Sequence, residues 1–436
     1  MPPVADVLHD PKFSMATVDM DAAMDKQISI SELRPGMYVH RLKGSWMDRL
    51  LWKSEFLLEH DAEVERIRAS GLEKVWIDTA RGIDIPSPSF EPVAGMANQA
   101  VAPAPTSASP APPTTADPSQ VALRAEVDRA RKICFKAKNA VSSMFAEARM
   151  GKAVETGKAR ELVEEIALSV ERNASALISL ARLKTADDYT FMHSVAVCGL
   201  MIALARELGL DEKDVREAGV AGLMHDVGKM AIPLKVLNKP GRLTEDEYAL
   251  VKQHPVQGHE MLSHSPDIGD VTLDVCLHHH ERIDGKGYPH NLDGSRISLF
   301  AKMGAICDVY DAITSNRPYK AGWDPADSLQ KMASWAKGDY EDYVFQAFVK
   351  SVGIYPTGSL LLMASGRLGV VVEQNEKSLL LPRVKLFYST RSNAYMAPEL
   401  IDLSRPGCMD SIVGPESAAK WGLKKLDDLW AGKTAS

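Results

Sequence analysis

The stretch Val220-Ala221-Gly222-Leu223-Met224-His225-Asp226-Val227-Gly228-Lys229 (VAGLMHDVGK) decides how this chain is read. An apolar run ends abruptly at a histidine and an aspartate, which marks a buried helix end carrying polar side chains. Such groups are expensive to bury without partners. Neighbouring side chains on a helix diverge by about 100°, so one metal can use both only if other ligands close the far side. A carboxylate has two oxygens and can bridge two ions, as two-metal hydrolases require. Lys229, one turn after His225, is placed to reach a substrate phosphate. An isolated His-Asp pair is most often a capping aspartate beside a core histidine, so the remaining ligands have to come from elsewhere in the chain.

They are present. Nine of the 12 histidines fall between His193 and His290. His193 lies inside an apolar helical run, and His254 precedes Pro255, which biases it away from helix. His279 and His280 stand before Glu281 and a glycine-rich loop, and Asp308 lies in the apolar run Met303–Ile313. With His225 and Asp226 these residues suffice for two octahedral-type ions with water in the open positions. His259, His264, His278 and His290 are read as surface or neighbouring residues. Asp284–Pro289 (DGKGYP) is a turn whose glycines permit positive φ. Tyr288 there either offers a ring or hydroxyl at a pocket mouth or simply packs inward.

The 436 residues, 45% hydrophobic and 25% charged, are ordinary globular composition and long enough for two or three domains. A net charge of −7 argues against a protein that grips nucleic acid through its phosphates. The five cysteines are scattered without CxxC spacing, which suggests neither disulfides nor a zinc knuckle and fits a reducing compartment. The first residues lack a signal-peptide pattern, and no stretch reads as a membrane helix. The expectation is a cytoplasmic protein.

Five segments are expected. Residues 1–27 are a leader. Residues 28–85 form a small α+β module, with β-prone runs from Ile28, at Met37–His40 and at Lys74–Asp78, a Pro35-Gly36 turn, and an amphipathic helix over Phe56–Ser70. Residues 86–119 are a linker rich in Pro and Ala. Residues 120–355 are all-helical, with helices over Val121–Met150, Val154–Leu183, Tyr189–Leu210 and Asp211–His225, and a capping box at Thr244 and Glu247. Residues 356–436 are a short β-rich appendage, with strands around a Gly366-Arg367 turn. The fold class is therefore mainly α.

Residues 185–320 resemble an HD-GYP domain, a branch of the HD phosphohydrolase superfamily. The motifs that carry the resemblance are Tyr189–Ser194, His225–Lys229, His254-Pro255, His279–Pro289, Asp308–Ala312 and Arg317–Lys320, in family order and spacing. It continues through Gly353–Gly358, and residues 28–85 resemble a module often found ahead of such domains. The resemblance implies a phosphodiesterase that linearises cyclic di-GMP to pGpG, and in many members onward to GMP, with iron or manganese in the site. It implies that one ion takes His193, His225, Asp226 and Asp308. The other shares Asp226 and adds His254, His279 and His280. It assigns Lys229 to the attacked phosphate, Tyr288 to a substrate loop that also contacts diguanylate cyclases, and Arg317 and Lys320 to the second phosphate.

Members with three metals carry a glutamate four residues before the first histidine. Tyr189 stands there in this chain and cannot replace a carboxylate, so two ions are expected. A water bridging two cations is deprotonated near neutral pH, and the cations neutralise the attacked phosphate, so the expected chemistry is in-line attack by a metal-bridged hydroxide. Two other readings stay open: a non-catalytic cyclic di-GMP receptor or cyclase-binding scaffold, and a hydrolase of another cyclic dinucleotide. The oligomeric state is open too, with the long helices over 121–184 offering a face through which a homodimer can form.

Overall fold

Runs rich in Ala, Leu, Glu and Lys and poor in glycine favour helix, and most of this chain is built from them. The computed structural model describes residues 25–42, 56–58, 64, 74–83, 118–183, 189–316, 322–375, 378–405, 407–424 and 426–431. They divide into a front unit ending at Leu123 and a main unit starting at Arg124.

The front unit holds an antiparallel sheet in the order β1-β4-β2-β3, with β1 Asp25–Ser29, β2 Tyr38–Leu42, β3 Phe56–Leu57 and β4 Lys74–Asp78. Ile28 lies opposite Val75 and Val39 opposite Ile77, and all four are buried on one face. The helix expected from Phe56 does not start there. Phe56 and Leu57 pair with Val39 and Tyr38. Leu58 exchanges backbone hydrogen bonds with Gly36 and Met37 and is buried while Leu57 is exposed. That is an alternation of period two, set by the open edge of β2. The rest of the expected helix, Leu58 and Val64 apart, lies outside the described residues, as do Trp46, Trp52 and residues 86–117 of the expected linker.

Two long helices follow, α1 (Pro118–Arg149), which belongs to the main unit from Arg124 on, and α2 (Thr156–Arg182). The backbone of α2 breaks at Asn173, whose side-chain oxygen accepts from Ala176 N at 3.0 Å and restarts the helix. Next come α3 (Tyr189–Glu207), α4 (Glu212–Met224), a 3-10 turn (Val227–Ala231), α5 (Leu234–Leu237), α6 (Glu245–Val251), α7 (His254–Ser263) and α8 (Asp270–His278). The body closes with α9 (Leu299–Thr314), α10 (Pro325–Asp339) and α11 (Asp342–Val352). Both halves of the capping box before α6 form, Glu247 N to Thr244 Oγ1 and Thr244 N to Glu247 Oε2.

One sequence expectation fails at α3, which by length and composition is apolar enough to span a membrane. It is apolar all round because α2, α4, α9 and α11 pack about it, and 78% of its most apolar window is buried in the fold.

The tail is an antiparallel sheet in the order β8-β7-β6-β5-β9, with β5 Leu360–Met363, β6 Arg367–Glu373, β7 Arg383–Ser389, β8 Ala394–Asp402 and β9 Ile412–Pro415. Asp324 pins it to the helices: one carboxylate oxygen caps α10 at Ala326 N, 2.8 Å, and the other accepts Leu360 N at the start of β5, 3.0 Å. The chain is thus mainly α, with a small four-stranded sheet before the helices in sequence and a five-stranded sheet after them.

Candidate metal centre

The His-Asp pair sits at a break. His225 closes α4 in helical conformation, while Asp226 has φ −102° and ψ 8° and starts the 3-10 turn. On a regular helix the two side chains would diverge; here His225 Nε2 lies 3.4 Å from Asp226 Oδ2, and both residues are buried. The turn can pass this close to α7 only because position 228 is glycine. A Cβ on Gly228 would lie 1.9 Å from His254 O and 2.5 Å from Gly258 N.

Asp226 stands at the centre. Its Oδ2 is 3.4 Å from both His193 Nε2 and His225 Nε2. Its Oδ1 is 3.3 Å from His254 Nε2 and 3.9 Å from His279 Nε2. Asp308, from α9, lies 2.9 Å from His193 Nε2 and 3.9 Å from His225 Nε2 through Oδ1, and 3.9 Å from His280 Nδ1 through Oδ2. Three groups of ligand atoms each fall within 4.8 Å of one another: His193 with His225 and Asp308, His254 with His279 and His280, and His225 with Asp226 and His279. All seven residues named from the sequence as ligands are brought together.

The outer ring nitrogens are already engaged. His225 Nδ1 faces Gly222 O at 2.7 Å, His254 Nδ1 faces Val251 O at 2.8 Å, and His279 Nδ1 faces Val275 O and Cys276 O at 3.0 Å. A carbonyl only accepts, so each Nδ1 carries the proton and each Nε2 turns a lone pair inward. His193 uses a carboxylate instead, with Nδ1 2.6 Å from Asp311 Oδ2. Asp311 was missed in the sequence, although it lies three residues after Asp308 on the same helix face.

This donor set fits divalent cations. The Nε2 atoms of His254 and His279 face each other at 3.3 Å, two lone pairs that repel unless a cation comes between them. Among the described residues, His225 Nε2 and Asp226 Oδ1 are buried with no hydrogen-bond partner, an arrangement that proteins avoid without reason. Burial, then neighbouring imidazoles, hold His279 well below the ordinary histidine range and bring His280 down to about 3. Both therefore stay neutral, the form that binds metal. Burial lowers His193, but its bonds to Asp308 and Asp311 carry it above the ordinary value. Burial would raise Asp226 and Asp308, yet Lys229 and His225 hold the first, and His193 the second, well below the usual carboxylate range.

Among the other expected site residues, Lys229 is buried and its ammonium donates to Asp226 Oδ2. Tyr288 stacks on His280 with ring centres 4.6 Å apart. Its loop is clipped from inside by Glu281, buried, which accepts His290 N at 2.6 Å and Leu292 N at 3.0 Å. Arg317 and Lys320 lie outside the described residues. His278 is turned away from the centre, held by Asp274 at 2.7 Å and His290 at 3.1 Å.

A helical body with five histidines and two aspartates around one buried point is the arrangement of an HD domain. The family profile described as "HD domain" matches residues 160–343, and one described as "Domain of unknown function (DUF3391)" matches residues 25–159. The chain is 51% identical over 414 residues to "Cyclic di-GMP phosphodiesterase PA4108" of Pseudomonas aeruginosa, covering 95% of this chain and 97% of that one. It is 42% identical over 180 residues to "Cyclic di-GMP phosphodiesterase response regulator RpfG" of Xanthomonas campestris, 37% of this chain and 47% of that one. It is 34% identical over 187 residues to "3'3'-cGAMP-specific phosphodiesterase 1" of Vibrio cholerae, 42% of this chain and 43% of that one. The chain belongs to the HD-GYP family of HD-domain phosphohydrolases.

Proposed function

We propose that this chain is a metal-dependent phosphodiesterase that hydrolyses cyclic di-GMP to pGpG. The observation that carries the reading is Asp226, buried between two sets of histidines with one carboxylate oxygen toward each. Its near full-length similarity to a cyclic di-GMP phosphodiesterase supports the substrate. His193, His225 and Asp308 would hold one cation and His254, His279 and His280 a second, with Asp226 shared. Iron or manganese suits these ligands, and Tyr189, in place of an acidic residue, supports two ions rather than three. Two divalent cations there would make a bound water acidic enough to ionise near neutral pH and would offset the charge of the attacked phosphate.

The protein's own groups do the rest. Asp311 fixes the His193 ring, and four backbone carbonyls fix the rings of His225, His254 and His279. Lys229 supplies a buried positive charge beside Asp226 for the developing phosphoryl oxygens. Tyr288, stacked on His280, would lie beside the bound substrate, and Arg317 and Lys320 are assigned to the second phosphate. The experiment is anaerobic purification with metal analysis, followed by chromatography of the products from cyclic di-GMP. The expected result is two ions per chain and pGpG as first product. His225→Ala and Asp226→Ala should each lower turnover by at least about a thousandfold while keeping the helical circular dichroism. Full activity in both variants would sink the reading.

A further inference from the structure

Among the described residues, several cations around the metal centre are matched by acids. Lys229 is held by Asp226, Lys239 by Glu247 at 2.6 Å, and Arg282 by Asp284 at 2.8 Å and Asp339 at 2.6 Å. Lys252 differs. It lies just after α6, two residues before His254, and is half-buried. Among the described residues no carboxylate pairs with it. Its ammonium instead lies 5.2 Å from the ring centre of Tyr248 and 5.9 Å from that of Tyr288. Tyr288 in turn stacks on His280, so this lysine stands one ring away from the metal ligands.

We propose that Lys252, flanked by Tyr248 and Tyr288, recognises a guanine base of the substrate. Contacts of an ammonium with rings at such distances hold it by only about 0.5–1 kcal/mol each, which leaves it free to turn toward a stronger acceptor. Guanine presents two acceptors together, O6 and N7, and lysine is a natural donor to that edge. Adenine places an amino group where O6 would be, and two donors then face each other. The tyrosine rings supply faces on which any purine can stack. The aromatic flanks favour a base over a phosphate as the occupant, because a phosphate gains nothing from a ring face.

This assignment rests on the cyclic di-GMP reading of the site, and the test separates the two. Turnover of cyclic di-GMP and cyclic di-AMP is compared for the metal-loaded full chain and for Lys252→Ala and Lys252→Arg. Binding of fluorescein-labelled cyclic di-GMP to metal-free protein is followed by anisotropy. Lys252→Ala should cut the preference for cyclic di-GMP over cyclic di-AMP about tenfold and weaken labelled-ligand binding by a similar factor. Lys252→Arg, which keeps a donor, should retain most of both. An equal loss on both dinucleotides would make the contact a phosphate one and overturn base recognition, and unchanged binding would remove Lys252 from the site altogether. Parent protein that neither binds nor cleaves cyclic di-GMP would overturn the substrate assignment, and this inference with it.

Discussion

Asp311 makes the site's least visible contribution. It stands behind His193, 2.6 Å from the nitrogen that faces away from the centre, and its other oxygen accepts from Ser315 Oγ at 3.1 Å. A carboxylate in that place orients the imidazole and makes it a better ligand, and losing such a partner usually weakens metal binding 10- to 100-fold. Asp311→Asn is expected to lower metal affinity by about that factor, measured as ions retained per chain across a chelator series, with Asp311→Glu recovering part of it. Retention equal to the parent would make Asp311 a packing residue. The seven residues that gather at the centre stood out in the sequence because each is a polar group stranded in an apolar run or at a helix break. Asp311 did not, because its meaning depends on a partner 118 residues away.

At the scale of elements, the helix ends were the easiest to read. Thr244 and Glu247 announce α6, and both of their hydrogen bonds form. The start of β3 was misread because Phe56-Leu57 carries no local signal against helix; the open edge of β2 decided it. The junction of α10 and β5 gives a test of its own. Burial raises Asp324 to about 6, and the bonds from Leu360 N and Ala326 N oppose this without overcoming it. A carboxyl whose pKa is higher in the folded state than in the unfolded chain favours folding at low pH. That contribution is full below about pH 4 and is lost as the pH rises through 6. Asp324→Asn has no such titration. Its stability relative to the parent should therefore improve by on the order of 2–3 kcal/mol from pH 4 to pH 8, read from urea midpoints at each pH. A difference independent of pH would show that this carboxyl ionises in the fold as freely as in the unfolded chain.

At the scale of the whole molecule, composition was enough to foresee a helical body with small sheets at either end, because helix-forming runs and β-prone runs do not intermix along this chain. What composition hid was the use of α3, a helix apolar enough for a membrane that serves as the axis of the body and carries His193. A centre assembled from α3, α4, α7, α9 and the end of α8 would tie most of the main unit to any ions it binds. Saturating manganese should therefore stabilise the chelator-treated protein against unfolding by about 2.7 kcal/mol per bound ion at a hundredfold excess over its dissociation constant. Thermal scans with and without chelator check this, and identical midpoints would mean that the cluster binds no metal. The contact at Gly228 carries one more consequence. A Cβ there would strike His254 O and Gly258 N, while a Cβ on Gly258 would lie 2.6 Å from Cys276 Sγ and 3.0 Å from Gly228 N. The His-Asp motif is therefore not a portable cassette. Grafted onto another helical scaffold, its letters would bring the ligands across but leave behind the groove on α7 that lets the turn fit, and the two glycines have to travel as a pair.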